Sequence, residues 1–142
     1  MLIVHNACDV LEEIYDLIGK RKLSEVGRNL LELIKNTKNE LITVGNHTVI
    51  LDKQGLTHIL GRHHPAFKLD SKAATMFPKG MTVEEIKSTA RKLIQQNHEK
   101  VEQIMKSNGG RFGQIEGEVD GVLYQLGFKD RGHIGQFFPK AK

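Results

Sequence analysis

Apolar residues near the start of the chain recur at the spacing of one helix face, which predicts two N-terminal helices. The first begins after Asp9, a suitable N-cap, and ends at Gly19. The second runs from Ser24 to about Asn36. Neither helix carries a cluster of reactive groups, so we expect both to pack against the rest of the domain or to hold a partner.

Two short runs rich in β-branched residues follow, and they predict a β-hairpin. The runs are 41–44 and 47–51, and Gly45-Asn46 lies between them. Glycine readily adopts the backbone angles that a tight turn requires, so a Gly-Asn pair between two such runs is a hairpin signal.

The second half of the chain predicts a long helix and then a small sheet. Thr82 and Glu85 form a capping-box signature, which starts a helix over 82–106. Beyond it the apolar positions alternate with period two in three short runs, with turn signals at 120–121 and 130–132. The predicted fold class is therefore α+β, with N-terminal helices, a β-hairpin, a long central helix and a C-terminal antiparallel β-meander.

Length and composition favour one globular domain with a modest basic surplus. The 142 residues suit a single domain that buries a real core. Lys and Arg number 21 against 17 Asp and Glu, a net charge of +4 that suits a polyanion such as RNA. Cys8 is the only cysteine, so neither an internal disulfide nor a cysteine-based zinc site is expected. No apolar run approaches the roughly 20 residues that a membrane-spanning helix needs.

The stretch 57–65 carries the strongest chemical signal of the chain. It holds three of the seven histidines and an arginine: His58, Arg62, His63 and His64. Imidazoles exchange protons near neutral pH, so one can take the proton of an attacking hydroxyl while another returns a proton to the leaving oxygen. A guanidinium beside them stabilises the charge that develops on phosphorus. We expect a short helical turn, capped by Thr57 and stopped by Pro65, on which His58 and Arg62 share a face.

Three other interpretations of this stretch stay open. In the simplest, it is a polar loop without chemistry. In the second, it binds zinc for a metal-dependent nuclease, and the further ligands come from elsewhere in the chain: Asp70, His98 or His133. In the third, the domain binds nucleic acid or protein without catalysis, using a sheet face formed by Phe112, Tyr124 and Phe138.

Four separate segments agree in order and rough spacing with a known family. They are an HIL-x-RH segment at 58–63, Phe77-Pro78 before a helix, the strand Asp120-Gly121-Val122 and a closing Phe138-Pro139. Together they resemble the bacterial EndoU-type endoribonuclease toxins, within a wider group of barnase-, colicin- and RelE-like RNases. The resemblance covers mainly residues 58–139.

The resemblance implies a nuclease that cuts single-stranded RNA without a metal or other cofactor. It implies two catalytic histidines, which act on the 2′-OH and on the leaving 5′ oxygen and leave a 2′,3′-cyclic phosphate. By position these are His58 and His63, with His64 as an adjacent substitute for His63. Arg62 is the candidate phosphate ligand.

The closing segment departs from the family pattern. The family ends in Ser-Thr-Ala, then Tyr or Phe, then Pro, whereas this chain has Gly-Gln-Phe-Phe-Pro at 135–139. Gln136 still offers an amide donor and acceptor and Phe138 can stack on a base, so both are candidate substrate-binding residues. This departure bears on the family's preference for uridine more than on its cleavage of the strand. The catalytic lysine of the eukaryotic relatives has no assignable counterpart in this chain, and Lys129 and Lys140 are only candidates for it.

The first eight residues resemble the junction at which polymorphic and contact-dependent bacterial toxins join a delivery region to a C-terminal toxin domain. The segment MLIVHNAC contains the VHN sequence of such junctions, although an ordinary N-terminal strand explains it equally well. Residues 9–142 are then a single toxin nuclease domain. The resemblance implies a larger secreted bacterial protein whose toxin acts in the cytoplasm of a target cell. Its expected partners are RNA, with tRNA as one open target, and a cognate immunity protein that is acidic by charge complementarity.

Overall fold

The computed structural model describes most of the chain in three stretches, 25–69, 75–109 and 111–140, and of Asn108 only the backbone. The predicted hairpin, central helix and meander lie within these stretches, as does the predicted second helix except for its first residue, Ser24. Two predictions lie outside the described residues: the junction at 1–8 and the first helix at 9–19.

Four helices and five strands follow one another along the described residues. Their order is α1 (Glu25–Lys35), β1 (Glu40–Val44), β2 (His47–Leu51), α2 (Lys53–His63), α3 (Val83–Gln96), α4 (His98–Asn108), β3 (Gln114–Val119), β4 (Val122–Phe128) and β5 (Ile134–Pro139). β1 pairs with β2 in one antiparallel sheet, and β3, β4 and β5 form a second antiparallel sheet in that order. The α+β class, the hairpin and the C-terminal meander are confirmed. None of the helices in the described stretches is long and apolar enough to cross a membrane.

The predicted central helix is present as two helices, α3 and α4, which meet at Asn97. The capping box at its start is as predicted: Thr82 and Glu85 each accept the other's backbone N–H with a side-chain oxygen, both at 3.1 Å. At Asn97 the backbone leaves the helical region, with φ −109° and ψ 29°. Its side-chain amide donates to the Leu93 carbonyl oxygen at 3.0 Å. The same carbonyl oxygen also accepts from the Asn97 backbone N–H at 3.2 Å, so the side chain caps the last turn of α3 where the helix breaks.

One hydrophobic core joins the helices to both sheets. Helix α1 contributes Leu30 and Ile34, and the hairpin contributes residues such as Val44 and Val49, all of them buried. The other helices and the three-stranded sheet supply further buried members, among them Leu56, Ile59, Ile86, Leu93, Val101, Ile115, Leu126 and Phe137. The described residues therefore pack as one unit around a shared interior.

The three-stranded sheet has a buried and a polar face, because successive side chains of a strand point to opposite sides. The face that we call the inner face packs against α3 and carries Ile115, Tyr124, Leu126 and Phe137. The face that we call the outer face carries Gln114, Glu116, Gln125, Gln136 and Phe138. Gln136 and Phe138, the predicted substrate-binding residues of β5, are therefore on the outer face.

The predicted aromatic binding face is wrong, because Tyr124 lies on the opposite face of the sheet from Phe138. Tyr124 is buried on the inner face, stacked on Phe137 with ring centroids 5.3 Å apart. Burial, together with the Asp120 carboxylate, raises the pKa of the Tyr124 phenol. Phe138 follows Phe137 directly and so points to the outer face. Phe112 precedes β3 and is exposed.

Candidate active site

Helix α2 carries the histidine stretch and begins earlier than the sequence predicts. Its N-cap is Asp52, whose Oδ1 accepts from the Gly55 backbone N–H at 2.7 Å. Thr57, the predicted cap, is instead buried inside the helix, where its hydroxyl donates to the Lys53 carbonyl oxygen at 2.7 Å. The Thr57 prediction is wrong because an aspartate five residues upstream supplies a better cap.

The N-terminal end of α2 is fixed against the start of β5. Gly55 lies so close to that strand that a Cβ here would come within 2.5 Å of the Ile134 carbonyl oxygen. The other carboxylate oxygen of Asp52, Oδ2, accepts from Nδ1 of His133 at 2.6 Å. Because Asp52 is buried and His133 largely so, this pair ties the helix cap to the residue that precedes β5.

The C-terminal end of α2 is closed by the loop that follows it. The Leu69 N–H donates to the Gly61 carbonyl oxygen at 2.7 Å, and the Phe77 N–H donates to the His63 carbonyl oxygen at 2.8 Å. These bonds satisfy two of the carbonyls that the last turn of a helix leaves without an intrahelical partner. Both ends of α2 are therefore held, which fixes where its side chains point.

His58 lines a cavity of about 420 Å³ between α2 and the outer face of the sheet. The other side chains around this cavity are polar or aromatic: Gln54, Phe112, Gln114, Phe128, Lys129 and Gln136. The Lys129 ammonium donates to Gln54 Oε1 at 2.9 Å, so this cation is tied to the helix. The structure thus brings Gln136, a predicted substrate-binding residue, together with His58.

His63 is held in one tautomer and one orientation. Its Nδ1 lies 2.9 Å from the Thr75 carbonyl oxygen, which can only accept, so Nδ1 carries the proton. The lone pair of the neutral ring is then on Nε2. The ring stacks on Phe138, with centroids 4.8 Å apart and planes at 19°. His63 therefore offers a proton acceptor of defined position beside the outer face.

His64 has a structural role, because it is buried in the loop that follows α2. It is 4% exposed. Its Nε2 donates to the Met81 carbonyl oxygen at 2.8 Å, and its Nδ1 accepts from the Ala66 N–H at 3.1 Å. Both ring nitrogens therefore make hydrogen bonds that shape the loop after α2. Of the two neighbouring histidines that the sequence leaves open, His63 has the better geometry for proton transfer.

His58 and His63 meet the same strand although they are five residues apart on α2. Five residues rotate by about 140° around a helix, so the two side chains leave α2 in different directions. β5 nevertheless reaches both: Gln136 shares the cavity with His58, and Phe138 stacks on His63. Because Gln136 and Phe138 are alternate residues of one strand, they lie on the same face. The structure therefore places His58 beside Gln136 and His63 beside Phe138, two alternate positions on the outer side of β5.

The candidate cations occupy different positions. Arg62 is exposed in the last turn of α2, one turn beyond His58, as the i, i+4 spacing predicts. Lys140 donates to Glu116 Oε2 at 2.5 Å, and this hydrogen bond and the ammonium charge lower the pKa of Glu116. Of the two candidate lysines, Lys129 lines the His58 cavity and Lys140 does not.

The zinc interpretation depends on further ligands near the histidine stretch. His133 is bonded to Asp52, and His98 is exposed at the start of α4. Asp70 lies outside the described residues. Within 25–69, 75–109 and 111–140, no three His, Cys, Asp or Glu side chains come together in a group that could hold a metal ion.

Two features of the site are absent from the sequence predictions. The Asp52–His133 pair joins residues 81 positions apart, a contact that only the folded chain reveals. The cross-strand row of Gln114, Gly127 and Gln136 follows from strand register. One signal was available, since an aspartate directly before a helix is a favoured N-cap and identifies Asp52.

Comparisons with known proteins identify no relative. No protein-family model, no curated protein and no solved structure matches the chain. The resemblance to EndoU-type toxins therefore stays a prediction, and the function has to be argued from the site.

Proposed function

We propose that this domain is a metal-independent endoribonuclease that cleaves RNA by attack of the 2′-OH on the adjacent phosphorus. One observation carries the proposal: His58 and His63 lie along the outer side of β5, with Lys129 and Gln136 around the same cavity as His58. Acid–base cleavage of a phosphodiester needs two proton carriers and a nearby cation. The net charge of +4 agrees with a polyanionic substrate.

In this proposal His63 is the general base and His58 is the general acid. Nε2 of His63 takes the proton of the 2′-OH, the 2′ oxygen bonds to phosphorus, and the bond from phosphorus to the 5′ oxygen breaks. Protonated His58 gives its proton to that leaving oxygen. The products are a 2′,3′-cyclic phosphate and a 5′-OH. The bond from Nδ1 to the Thr75 carbonyl oxygen supports the assignment, because it leaves Nε2 as the accepting nitrogen.

The remaining candidates bind or orient. Arg62 and Lys129 are the cations available to the charge that develops on phosphorus. Gln136 offers an amide donor and acceptor to the substrate. Phe138 stacks on the His63 ring, so we assign it the additional task of orienting the general base.

The test is to incubate the purified domain with total RNA and a strong chelator, and to map the cut ends. We expect cuts in single-stranded regions that leave 2′,3′-cyclic phosphate and 5′-OH ends. The His58→Ala variant, purified in the same way, controls for contaminating RNase, and its cleavage rate should fall by about 10²–10⁴. Folded wild-type protein that cuts nothing, or that cuts only with added metal, would contradict the proposal.

We propose further that the domain is delivered as part of a larger secreted bacterial protein and acts in the cytoplasm of a target cell. The support is the resemblance to toxin domains and the junction-like segment at 1–8. A cognate immunity protein with an acidic surface would cover the His58 cavity, which Lys129 lines. An immunity candidate encoded beside the toxin that leaves its ribonuclease activity unchanged would contradict this partner.

A further inference from the structure

We infer that the His58 cavity is a nucleobase subsite, in which a base of single-stranded RNA stacks on Phe112 and meets the amides of Gln114 and Gln136 above Gly127. The inference rests on the proposed function and deepens it, because it names the residues that select the base.

Phe112 is an exposed aromatic residue in a conformation that favours glycine. Its side chain is 76% exposed and its φ is 61°, in the left-handed region. A bulky residue rarely adopts this region. Folding gains little from the ring, since it buries little apolar surface, and a glycine would relieve the strain. Strain that persists at an exposed residue of a cavity points to a functional use.

The surrounding backbone holds Phe112 in this position. Its N–H donates to the Phe128 carbonyl oxygen at 3.1 Å, and the Phe128 N–H donates to the Gly113 carbonyl oxygen at 2.8 Å. Gly113 packs so tightly against Ile104 of α4 that a Cβ would overlap that side chain. The Arg111 guanidinium carbon lies 5.0 Å from the Phe112 ring centroid. A stacking surface therefore has a cation beside it, the pairing that a single-stranded nucleic acid uses.

The floor of the cavity is one cross-strand row of the sheet. Gly127 of β4 pairs with Gln114 of β3 on one side and with Gln136 of β5 on the other. The glycine leaves a gap between two amides, each of which can donate and accept hydrogen bonds. A Cβ at Gly127 would make ordinary contacts, 3.6 Å from Gln136 Cβ and 3.8 Å from Gln114 Cγ. The fold therefore tolerates a side chain here, and the gap is available to a ligand.

The charges around the cavity favour a nucleic acid over other planar ligands. Its volume of about 420 Å³ is within the usual range for a small-molecule site. Lys129 and His58 line it, the Arg111 guanidinium lies over the ring of its lining residue Phe112, and none of its described lining residues is acidic. Aromatic surface, two amides and cations match a base with a phosphate on either side.

The test measures binding of oligonucleotides that cannot be cut. Four fluorescent single strands with 2′-O-methyl riboses, one for each base, lack the attacking hydroxyl, so wild-type protein can be used. We expect Phe112→Ala to weaken binding of the preferred strand about tenfold, the scale of one base–aromatic stack. Phe112→Trp should retain affinity, and Phe112→Gly should lose it while raising Tm. Leu41→Ala is the matched control, since Leu41 is 59% exposed on β1 and is no part of the cavity lining.

A second variant tests the floor of the subsite, the row of Gln114, Gly127 and Gln136. Gly127→Ala places a methyl group in the gap, so we expect an unchanged Tm and smaller differences in affinity among the four strands. A variant that discriminates among the bases as well as wild type would contradict the role of the row. Because this variant keeps Phe112, it distinguishes the contribution of base stacking to affinity from the contribution of hydrogen bonds to the base edge.

The outcomes distinguish this inference from the proposed function. Equal affinities of wild type, Phe112→Ala and Leu41→Ala would overturn the subsite. Cleavage of RNA by wild type and by Phe112→Ala with the same rate and base preference would overturn the subsite alone. Binding that depends on Phe112, without cleavage of any RNA, would leave the subsite standing and overturn the nuclease. Absence of binding and of cleavage would overturn both.

Discussion

The two faces of the three-stranded sheet use the same alternation of side chains for different purposes. On the inner face Phe137 is fully buried and contacts Phe77 and Tyr124. On the outer face, one residue further along β5, Phe138 supports His63. The inner face therefore carries stability, and the outer face carries the candidate chemistry.

Because the two faces differ in this way, substitutions at neighbouring residues of one strand should affect different properties of the protein. Substitutions on the inner face should change the free energy of unfolding, and substitutions on the outer face should change the cleavage of RNA. Helix α2 is the exception, because it packs into the core on one side and presents the histidines on the other. Substitutions at its contact with β5 should change both properties.

The largest expected effect comes from the matched pair at 137 and 138. We expect Phe137→Ala to lower the free energy of unfolding by about 3–5 kcal/mol, because it empties a large volume in the core. Phe138→Ala should cost no more than about 1.5 kcal/mol, the scale of one aromatic contact, and should slow RNA cleavage because His63 loses its support. Chemical denaturation and single-turnover cleavage measure the two quantities. Equal losses of stability would show that the two faces are not divided in this way.

The next effect is at the helix–strand contact. Gly55→Ala places a Cβ 2.5 Å from the Ile134 carbonyl oxygen, so α2 has to shift. We expect a loss of about 1–2 kcal/mol in stability after the helix propensity of alanine is counted, and slower cleavage because His58 moves relative to Gln136. Gly80→Ala is the control, since its Cβ would meet no atom within 4 Å. A Gly55→Ala protein that matches wild type in both measurements would show that this contact does not position α2.

A smaller effect is expected at the cap of α2. Asp52→Ala removes the acceptor of the Gly55 N–H and leaves His133 without its carboxylate, and we expect a loss of about 1 kcal/mol or slightly more. Asp52→Asn keeps a cap oxygen and should lose less. Thermal denaturation of the two variants measures the difference. If alanine and asparagine are equivalent to wild type, the cap does not hold the helix.

The smallest effect concerns an ion pair of the outer face. Lys140 lowers the pKa of Glu116, so the folded chain binds that proton less tightly than the unfolded chain does. The stabilisation is therefore present above the ordinary glutamate pKa of 4.5 and is lost as the pH falls through the lowered value. In Lys140→Gln, an NMR titration should find the pKa of Glu116 raised towards its ordinary value, with little change in stability because the pair is exposed. An unchanged titration would show that the pair does not form in solution.

Local patterns predict most of the elements because their causes lie within a few residues. The capping box at Thr82 and Glu85 is present as predicted. The turn between β3 and β4 follows from Asp120-Gly121, which adopt φ values of 51° and 83°, the positive angles of a two-residue hairpin turn. The break at Asn97 is less predictable, because an asparagine inside a good helical pattern gives only a weak local signal.

The candidate site is less predictable because its parts meet through tertiary contacts. The sequence names His58, His63 and His64, but the choice between the last two depends on backbone carbonyls in the following loop. Period two places Phe137 and Phe138 on opposite faces, yet the sequence alone does not say which faces the core. The strain at Phe112 is visible only in the folded backbone.

In the proposed reaction His58 and His63 are the two proton carriers of an RNase. The most direct measurement is the single-turnover rate of cleavage of a short single-stranded RNA, with chelator, by His58→Ala, His63→Ala and the exposed control His98→Ala. We expect a fall of about 10²–10⁴ for each of the first two, with the fold intact, and a wild-type rate for the third. A folded His58→Ala or His63→Ala protein that cuts at the wild-type rate would contradict it.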